Sequence, residues 1–215
     1  DRFAMMVDRQ WNFKENRRMT RLLRAAKLKD SACIENVDFK TPRALDKSLV
    51  VRLSDSDWIK KAQNAIIIGP TGVGKTYLAC AIANRACRNG FAAMYKRAPR
   101  LYQEIAIARA DGSYPKLMNK LAKIKVLIID DFCIAPMSDP QRRDLLEVLE
   151  DRQSLTSTII ATQMPVETWI EHIGDPTLAD AILDRLVHNA HKINLKGESM
   201  RKIHSSLTKS AAPGR

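Results

Sequence analysis

The chain has 215 residues, 45% of them hydrophobic, and a formal net charge of +12, so it can bury one sizeable core. A charge of this size suits a polyanionic partner, either a nucleic acid or an anionic membrane surface. No apolar stretch approaches the roughly 18 residues of a membrane span, and the N-terminus lacks a signal-peptide pattern. We therefore expect a soluble, cytoplasmic protein without a membrane partner. Because the chain starts with Asp1 inside a helical pattern, we also expect some N-terminal sequence to be missing.

The cysteines Cys33, Cys80, Cys87 and Cys133 are scattered along the chain and form no C-x-x-C pair. This spacing argues against a zinc site or a redox dithiol and favours buried free thiols. Cys80 and Cys87 lie seven residues apart in a predicted helix, which puts both on one packed face.

The first predicted element is a basic amphipathic helix over residues 11–29. Met19, Leu22, Leu23 and Ala26 fall on one stripe at helical spacing. The other side carries five basic residues, namely Arg17, Arg18, Arg21, Arg24 and Lys27. Two interpretations remain open: a solvated surface helix, or an arm that binds the phosphates of DNA.

From residue 64 onward, short apolar runs alternate with helical patterns, which predicts an α/β fold with a parallel five-stranded sheet flanked by helices. The predicted strands are 65–69, 91–95, 126–130, 157–162 and 191–195. The predicted helices are 75–89, 98–109, 114–122, 139–152 and 176–188. The chain then divides into a basic helical segment at 1–40, an α/β core at 41–204 and a flexible tail at 205–215.

The motif GPTGVGKT, residues 69–76, follows an apolar strand and opens a predicted helix, which is the context of a phosphate-binding loop (P-loop). Its glycines let backbone N–H groups converge on phosphate oxygens, and the helix N-terminus adds partial positive charge. We predict that Lys75 reaches the β- and γ-phosphates of ATP and that the Thr76 hydroxyl ligates Mg²⁺. The residues predicted to bind the nucleotide are Gly69, Pro70, Thr71, Gly72, Val73, Gly74, Lys75, Thr76 and Tyr77.

Two carboxylates, Asp130 and Asp131, follow the apolar run 126–129. Acids at the carboxyl end of a buried strand lie where a metal-phosphate site is expected. We predict that Asp130 holds Mg²⁺, directly or through water, and that Asp131 orients or deprotonates the attacking water. The next strand also ends in polar groups, and Gln163 is preferred over Thr162 as the γ-phosphate contact because its amide both donates and accepts.

In the last predicted helix, the position of Arg185 lies about 100° around the helix axis from the apolar stripe. It is therefore predicted to project away from its own core. Two roles remain open, an ordinary surface arginine and an arginine finger that reaches the nucleotide of a neighbouring subunit.

Taken together, these residues resemble the IstB-type helper ATPases of bacterial insertion sequences, which are related to DnaC and DnaA in the AAA+ class. The resemblance covers nearly the whole chain. Beyond the P-loop, it rests on RR (residues 17–18), AAKL (25–28), DGSY (111–114), IIDDF (128–132), IGDPT (173–177), ADAILDRL (179–186) and KGESMR (196–201).

The resemblance implies an ATP-driven, homo-oligomeric assembly that binds double-stranded DNA and engages a partner transposase, with ATP at the subunit interfaces. By position, Lys75 and Thr76 correspond to the ATP and Mg²⁺ residues, and Asp130 and Asp131 to the Walker B acids. Gln163 corresponds to the first sensor. Arg185 corresponds to the finger that acts in trans, and Arg201 is a weaker candidate for a second sensor.

Three departures from the family pattern carry expectations of their own. Asp131 stands where many AAA+ proteins have glutamate, which implies slow turnover. Cys133 stands where relatives usually have glycine. About 20 residues follow the last predicted strand, too few for the helical lid of AAA+ proteins, so we expect a lid that is reduced or absent.

Two alternative functions remain open at this point. The first is a helicase loader of the DnaC type, in which the N-terminal segment holds a helicase rather than a transposase. The second is a monomeric P-loop kinase of small molecules, with Arg109, Lys116 and Lys120 around an acceptor pocket.

Overall fold

The computed structural model describes residues 2–203, apart from the side chains of residues 2–8, 12 and 203. The tail predicted at 205–215 lies outside the described residues. No described helix is both long enough and apolar enough to cross a membrane.

A five-stranded parallel sheet forms the centre of the molecule, with strand order β2-β3-β4-β1-β5. The strands are β1 (Asn64–Ile68), β2 (Ala93–Arg97), β3 (Val126–Phe132), β4 (Ser157–Thr162) and β5 (Ala190–Asn194). The predicted parallel sheet is confirmed, with strand ends shifted by at most two residues. Because every strand runs in the same direction, the sheet has a carboxyl edge, where the strands end, and an amino edge, where they begin.

Ten α-helices surround the sheet within the described residues. They are α1 (Arg2–Ala26), α2 (Lys47–Ser54), α3 (Asp57–Lys60), α4 (Lys75–Arg88), α5 (Ala98–Asp111), α6 (Tyr114–Lys123), α7 (Asp139–Arg152), α8 (Trp169–Ile173), α9 (Pro176–Val187) and α10 (Met200–Ile203). Two 3₁₀ turns lie at Ile34–Asn36 and Val166–Thr168. The predicted core helices are confirmed, whereas the short helices α2, α3, α8 and α10 were not predicted.

Two hydrophobic layers cover the two faces of the sheet, because successive residues of a strand point to opposite faces. In β3, Val126 and Ile128 pack with α4, while Leu127 and Ile129 pack with the helices from α5 to α9. This two-sided burial explains why the strands read as continuous apolar runs.

The amphipathic pattern of α1 is confirmed at its C-terminal end. Ala26 is fully buried, and Leu22 and Leu23 pack against the same core as α4. Ala32 and Val37, which follow the helix, are buried in that core as well. The segment after α1 is thus tied to the sheet and lies beside the P-loop helix.

All four cysteines are free thiols. Cys80, Cys87 and Cys133 are buried as expected, whereas Cys33 is only partly buried, because it lies in the loop between α1 and the first 3₁₀ turn. Burial raises the pKa of Cys87 to about 11 and that of Cys133 to about 12, so both stay protonated and unreactive at neutral pH.

Candidate functional site

The P-loop connects the carboxyl end of β1 to the first turn of α4. Gly72 and Gly74 have φ angles of +83° and +104°, which side chains other than glycine rarely adopt. Position 69 requires glycine for a different reason, since a Cβ on Gly69 would lie 2.7 Å from the carbonyl oxygen of Leu195. These glycines let the backbone turn tightly enough to present its N–H groups to phosphate.

Lys75 is buried at the start of α4, and its Nζ donates to the carbonyl oxygens of Gly69 and Pro70 at 2.8 and 2.9 Å. Burial lowers the pKa of its ammonium group, the carboxylates of Asp130 and Asp131 oppose that shift, and the positive charge of Arg201 adds to it. The Lys75 ammonium therefore rests on loop carbonyls that phosphate oxygens can replace.

Thr76 and Asp130 meet in the arrangement predicted for a metal site. The Thr76 hydroxyl donates to Asp130 Oδ2 at 2.9 Å, and the Tyr95 hydroxyl donates to the same oxygen at 2.7 Å. Burial, followed by the hydrogen bond to Asp130, raises the pKa of Tyr95, so its hydroxyl remains a donor. Sequence reasoning missed Tyr95, which β2 brings next to Asp130 in the sheet.

These oxygens fit Mg²⁺, which proteins bind through one or two carboxylates together with the phosphates of the substrate. Within residues 2–203, no group of three or more His, Cys, Asp or Glu side chains is placed to hold a metal ion without such a substrate. Thr76 and Asp130 are the residues that would hold it.

Asp131 lies next to the metal position but is paired with a basic residue that sequence reasoning missed. Arg97 Nε lies 2.6 Å from Asp131 Oδ2, and the Asp131 side chain is 23% exposed. Arg97 ends β2 directly opposite Asp130, so the sheet register places its side chain there. The Asp131 carboxylate is thus oriented from the side of β2.

The backbone of β3 is irregular at the same point, where a bulge separates Ile129 from Phe132 in the pairing with β4. Asp131 and Cys133 have φ angles of 57° and 55°, in the left-handed region. Glycine adopts this conformation without steric cost, so the glycine that the family resemblance implies at position 133 would suit this backbone. The bulge turns the Asp131 side chain out of the regular alternation of the strand.

Gln163 follows β4, and its Oε1 accepts a hydrogen bond from Thr71 Oγ1 of the P-loop at 2.7 Å. Thr162, the weaker alternative, is buried, and its hydroxyl donates to the carbonyl oxygen of Phe132. Lys75, Asp131 and Gln163 line one small cavity of about 80 Å³. The structure therefore brings these three predicted residues together at the carboxyl edge.

A larger cavity of about 450 Å³ opens on the other side of the P-loop. Its lining joins three parts of the chain, the P-loop with Tyr77, the segment 29–43, and the C-terminal stretch that includes Arg201. Arg43 lines this cavity and was not predicted, because nothing in its local sequence distinguishes it from other arginines. A cavity of this size beside a P-loop suits the base and ribose of a nucleotide.

Arg185 lies at the amino edge, far from these residues. Asn64, the first residue of β1, donates to the Arg185 carbonyl oxygen at 2.9 Å. The guanidinium donates to Ala181 O and pairs with Glu150 at 2.8 Å, and the side chain is only 21% exposed. The Arg185 side chain therefore lies against α7 and α9, which supply its acceptors, and its role as a finger that acts in trans stays a prediction.

The basic residues of α1 divide into two groups. Arg17, Arg21 and Arg24 line a shallow groove on the outer face together with Phe13. Arg18 points elsewhere, and its Nη2 donates to the carbonyl oxygen of Gly90 at 3.2 Å. Lys27 lies at the end of α1 with a φ of 48° and is exposed.

Two aromatic side chains of α1, Trp11 and Phe13, are 67% and 61% exposed. The Arg17 guanidinium lies over the Phe13 ring, 5.7 Å from its centroid. Sequence reasoning missed both aromatics, although Phe13 falls opposite the partly buried residue Leu22 by helical spacing, a signal present in the sequence.

The three basic residues of the kinase alternative lie apart from the P-loop cavities in the described part of the chain. Arg109 pairs with Asp144 and stacks on Tyr114, between α5, α6 and α7. Within the described part of the chain, neither cavity that contains Lys75 is lined by Arg109, Lys116 or Lys120.

Residues 1–208 match the family model described as IstB-like ATP binding protein. The chain is 48% identical over 199 residues to an insertion sequence ATP-binding protein, y4pL, of Sinorhizobium fredii (strain NBRC 101917 / NGR234). This alignment covers 93% of this chain and 81% of the relative. It is 30% identical over 214 residues to the insertion sequence IS21 ATP-binding protein of Pseudomonas aeruginosa, and this alignment covers 98% of this chain and 81% of the relative.

Two solved structures share the fold. DnaI superposes with a TM-score of 0.66 at 21% identity, over 82% of this chain and 93% of DnaI. The DnaC helicase loader superposes with a TM-score of 0.65 at 19% identity, over 80% of this chain and all of that chain. These similarities confirm the P-loop AAA+ fold, and the family match shows that the chain belongs to the IstB-like ATP-binding proteins, which accompany insertion sequences.

Proposed function

We propose that this ATP-binding protein hydrolyses ATP, assembles on double-stranded DNA with ATP at its subunit interfaces, engages a partner transposase, and disassembles after hydrolysis. ATP drives such a cycle only if it binds the assembled state more tightly than the free subunits. The support comes from three regions of the chain, the carboxyl edge, the amino edge and α1.

At the carboxyl edge, the P-loop N–H groups and Lys75 bind the phosphates, while Thr76 and Asp130 hold Mg²⁺. When bound, Mg²⁺ neutralises charge that develops on the phosphate oxygens during transfer to water. Tyr95 holds Asp130 in place through its hydroxyl, at 2.7 Å.

Asp131 and Gln163 act on the water that attacks the γ-phosphate. Asp131 orients or deprotonates this water, and Gln163, which lies beside Thr71, contacts the γ-phosphate. Their shared cavity with Lys75, about 80 Å³, is large enough for a water molecule. The Arg97 ion pair competes with the water for the Asp131 carboxylate, which agrees with the slow turnover expected from the shorter acid.

The observation that carries the proposal is the separation of Arg185 from Lys75 by the whole of β1. Five residues of parallel strand span about 16 Å, so the Arg185 of one subunit does not reach the nucleotide that the same subunit binds. An arginine at the opposite edge meets a nucleotide when a second subunit docks head to tail, and such contacts build open helices or closed rings. Arg185 is therefore proposed as the finger that acts in trans.

The outer groove of α1 is the proposed DNA contact. Arg17, Arg21 and Arg24 present three positive charges along one helix face, and phosphate contacts of this kind position a protein on DNA without reading sequence. Arg18 and Lys27 belong to the same predicted set but lie to the side of this groove.

A partner transposase is proposed because the relatives of this chain are named as ATP-binding proteins of insertion sequences. The same fold serves as a helicase loader in DnaC, which makes recruitment of a partner protein plausible on this scaffold. Co-purification with the transposase or with the replicative helicase distinguishes the two partners.

The experiment that tests the proposal measures mass in solution by sedimentation, with and without ATP and duplex DNA. We expect a large complex only when both are present, followed by its loss as ATP is hydrolysed. A persistent monomer under all conditions contradicts the proposal.

The DNA contact is tested by comparing Arg17→Ala/Arg21→Ala/Arg24→Ala with the control Arg100→Ala/Lys120→Ala/Arg143→Ala, which removes three exposed charges elsewhere. Each lost phosphate contact lowers the slope of log affinity against log salt by about one. We expect a slope smaller by about three for the first variant alone. Equal slopes for the two variants would move the DNA contact away from α1.

A further inference from the structure

Arg43 is a buried arginine that contacts the P-loop beside the larger cavity. It is 4% exposed, and its Nη1 donates to the carbonyl oxygen of Val73 at 3.1 Å. Its Nη2 donates to the carbonyl oxygen of Asp38 at 2.7 Å, in the segment that follows α1. One side chain therefore connects the P-loop to the N-terminal part of the nucleotide cavity.

The contact with Val73 fixes the direction of a particular P-loop N–H group. In a trans peptide the C=O of one residue and the N–H of the next point in opposite directions. Holding the Val73 carbonyl toward Arg43 thus turns the Gly74 N–H away from Arg43. A flip of this peptide changes ψ of Val73 and φ of Gly74, and Gly74 is conformationally permissive, so the Arg43 contact adds a restraint that the loop lacks at Gly74.

Arg43 and its neighbour Pro42 pack closely against the P-loop and against the stretch around Gly197. A Cβ on Gly74 would lie 2.6 Å from Arg43 Nη1, and a Cβ on Gly197 would lie 2.9 Å from the Pro42 carbonyl oxygen. The Lys196 N–H donates to the Arg43 carbonyl oxygen at 3.0 Å. The three segments that line the cavity therefore meet at this one residue.

The positive charge of Arg43 has no ion-pair partner among residues 2–203. Its Nε is also buried without a hydrogen-bond acceptor. Burial lowers the pKa of the guanidinium, and the more distant Asp38 only partly opposes this. A buried cation without a carboxylate is costly, and a bound polyanion would reduce that cost.

We propose that Arg43 is a positioning residue for the nucleotide polyphosphate, because it holds the Val73–Gly74 peptide in its phosphate-binding orientation and adds a fixed positive charge beside the P-loop. Arg43 thereby strengthens the binding of ATP and ADP, both through the conformation of the P-loop and through the electrostatic field of its guanidinium. The inference rests on the ATP binding of the family and is independent of DNA, oligomers and the transposase.

Arg152 provides a matched control. It is 2% exposed, donates to the backbone carbonyl oxygens of Leu121, Ile124 and Ser157, and likewise has no ion pair with a described carboxylate. It lies at the amino edge, away from the nucleotide cavity. Losing either arginine destabilises the fold, so only nucleotide affinity separates their roles.

The test compares Arg43→Met, Arg43→Lys and Arg152→Met by direct titration with ATP, ADP and AMP, at a temperature where circular dichroism shows each variant folded. We expect Arg43→Met to bind ATP and ADP at least about tenfold more weakly, as for one lost hydrogen bond to a charged group, with a smaller loss for AMP. Arg43→Lys keeps the charge and one bond, so an intermediate loss of about threefold is expected. Arg152→Met is expected to lower the melting temperature and leave all three affinities unchanged.

An unchanged ATP affinity in Arg43→Met overturns the inference. An equal loss of affinity for ATP and AMP also overturns it, because Arg43 would then act on the base and ribose that both nucleotides share. If Arg43→Met does not fold, Arg43→Lys decides, and wild-type ATP affinity in that variant overturns the inference. Failure of the proposed function appears differently, as a wild-type chain that binds ATP but never assembles on DNA.

Discussion

The carboxyl and amino edges of the sheet both bury cationic side chains, but they satisfy them differently. At the amino edge, the guanidinium of Arg152 makes four hydrogen bonds within its own chain. At the carboxyl edge, Lys75 rests on two carbonyls of the loop that a ligand can replace, and the Nε of Arg43 has no acceptor. Arg152 is thus satisfied within its own chain, whereas the two cations of the carboxyl edge have replaceable or missing partners that a bound anion would supply.

Arg185 is the exception at the amino edge. Its Nε is buried without an acceptor, and its one ion pair among the described residues is to Glu150, whose side chain is 50% exposed. By the same criterion Arg185 resembles the cations of the carboxyl edge more than its neighbour Arg152. A head-to-tail assembly would bring the two edges together and give Arg185 its anion.

The largest expected effect is that of Lys75→Ala at the carboxyl edge. Two charge-assisted hydrogen bonds to phosphate are lost, so ATP affinity should fall by about a hundredfold or more. Fluorescence titration with an ATP analogue measures this, and Lys61→Ala, an exposed lysine just before β1, is the control. Unchanged affinity in Lys75→Ala would show that the P-loop does not bind the nucleotide.

Arg185→Ala should lower ATP turnover by about 10³-fold while leaving ATP affinity within about twofold, because the finger meets charge that develops only in the transition state. Mixing Arg185→Ala subunits with Lys75→Ala subunits should restore part of the phosphate release, since some interfaces then combine an intact P-loop with an intact arginine. No recovery at any mixing ratio would contradict a role in trans.

Asp131→Asn keeps the size of the side chain but removes its basicity. Turnover should fall by about 10²-fold, while ATP still binds and the assembled state persists. Steady-state phosphate release and sedimentation together check this. Asp131→Glu is the complementary variant, and its longer carboxylate side chain should raise turnover above that of the native chain. Normal turnover in Asp131→Asn would contradict a role of Asp131 in hydrolysis.

The smallest expected effect is that of Glu150→Gln, which neutralises the acid that holds Arg185. An exposed ion pair contributes at most about 1 kcal/mol, so ATP-dependent assembly should shift to ATP concentrations up to about fivefold lower. Asp151→Asn changes the adjacent exposed acid on α7 and is the control. Identical assembly curves for both variants would mean that the Glu150 contact does not restrain Arg185.

The sequence predicted the carboxyl edge well because its signals are local. The P-loop is one contiguous motif, and Asp130 and Gln163 each follow an apolar run that ends at a known edge of a parallel sheet. The short helices were harder to predict. In α2, Asp46 caps the N–H groups of Ser48 and Leu49, a signal present in the sequence, but two turns are too few to establish a period.

The sequence by itself determined the parallel α/β core, the ATP-binding loop and the edge at which the acids gather, because periodicity and motif spacing are properties of neighbouring residues. Only the tertiary structure decided the pairs that tune the site. Arg43 with Val73, Arg97 with Asp131 and Arg185 with Glu150 are separated by 30, 34 and 35 residues. Such partners are set by strand order and helix packing, so an arginine that pairs with a loop carbonyl, a strand-end aspartate or a helix glutamate looks the same in the sequence.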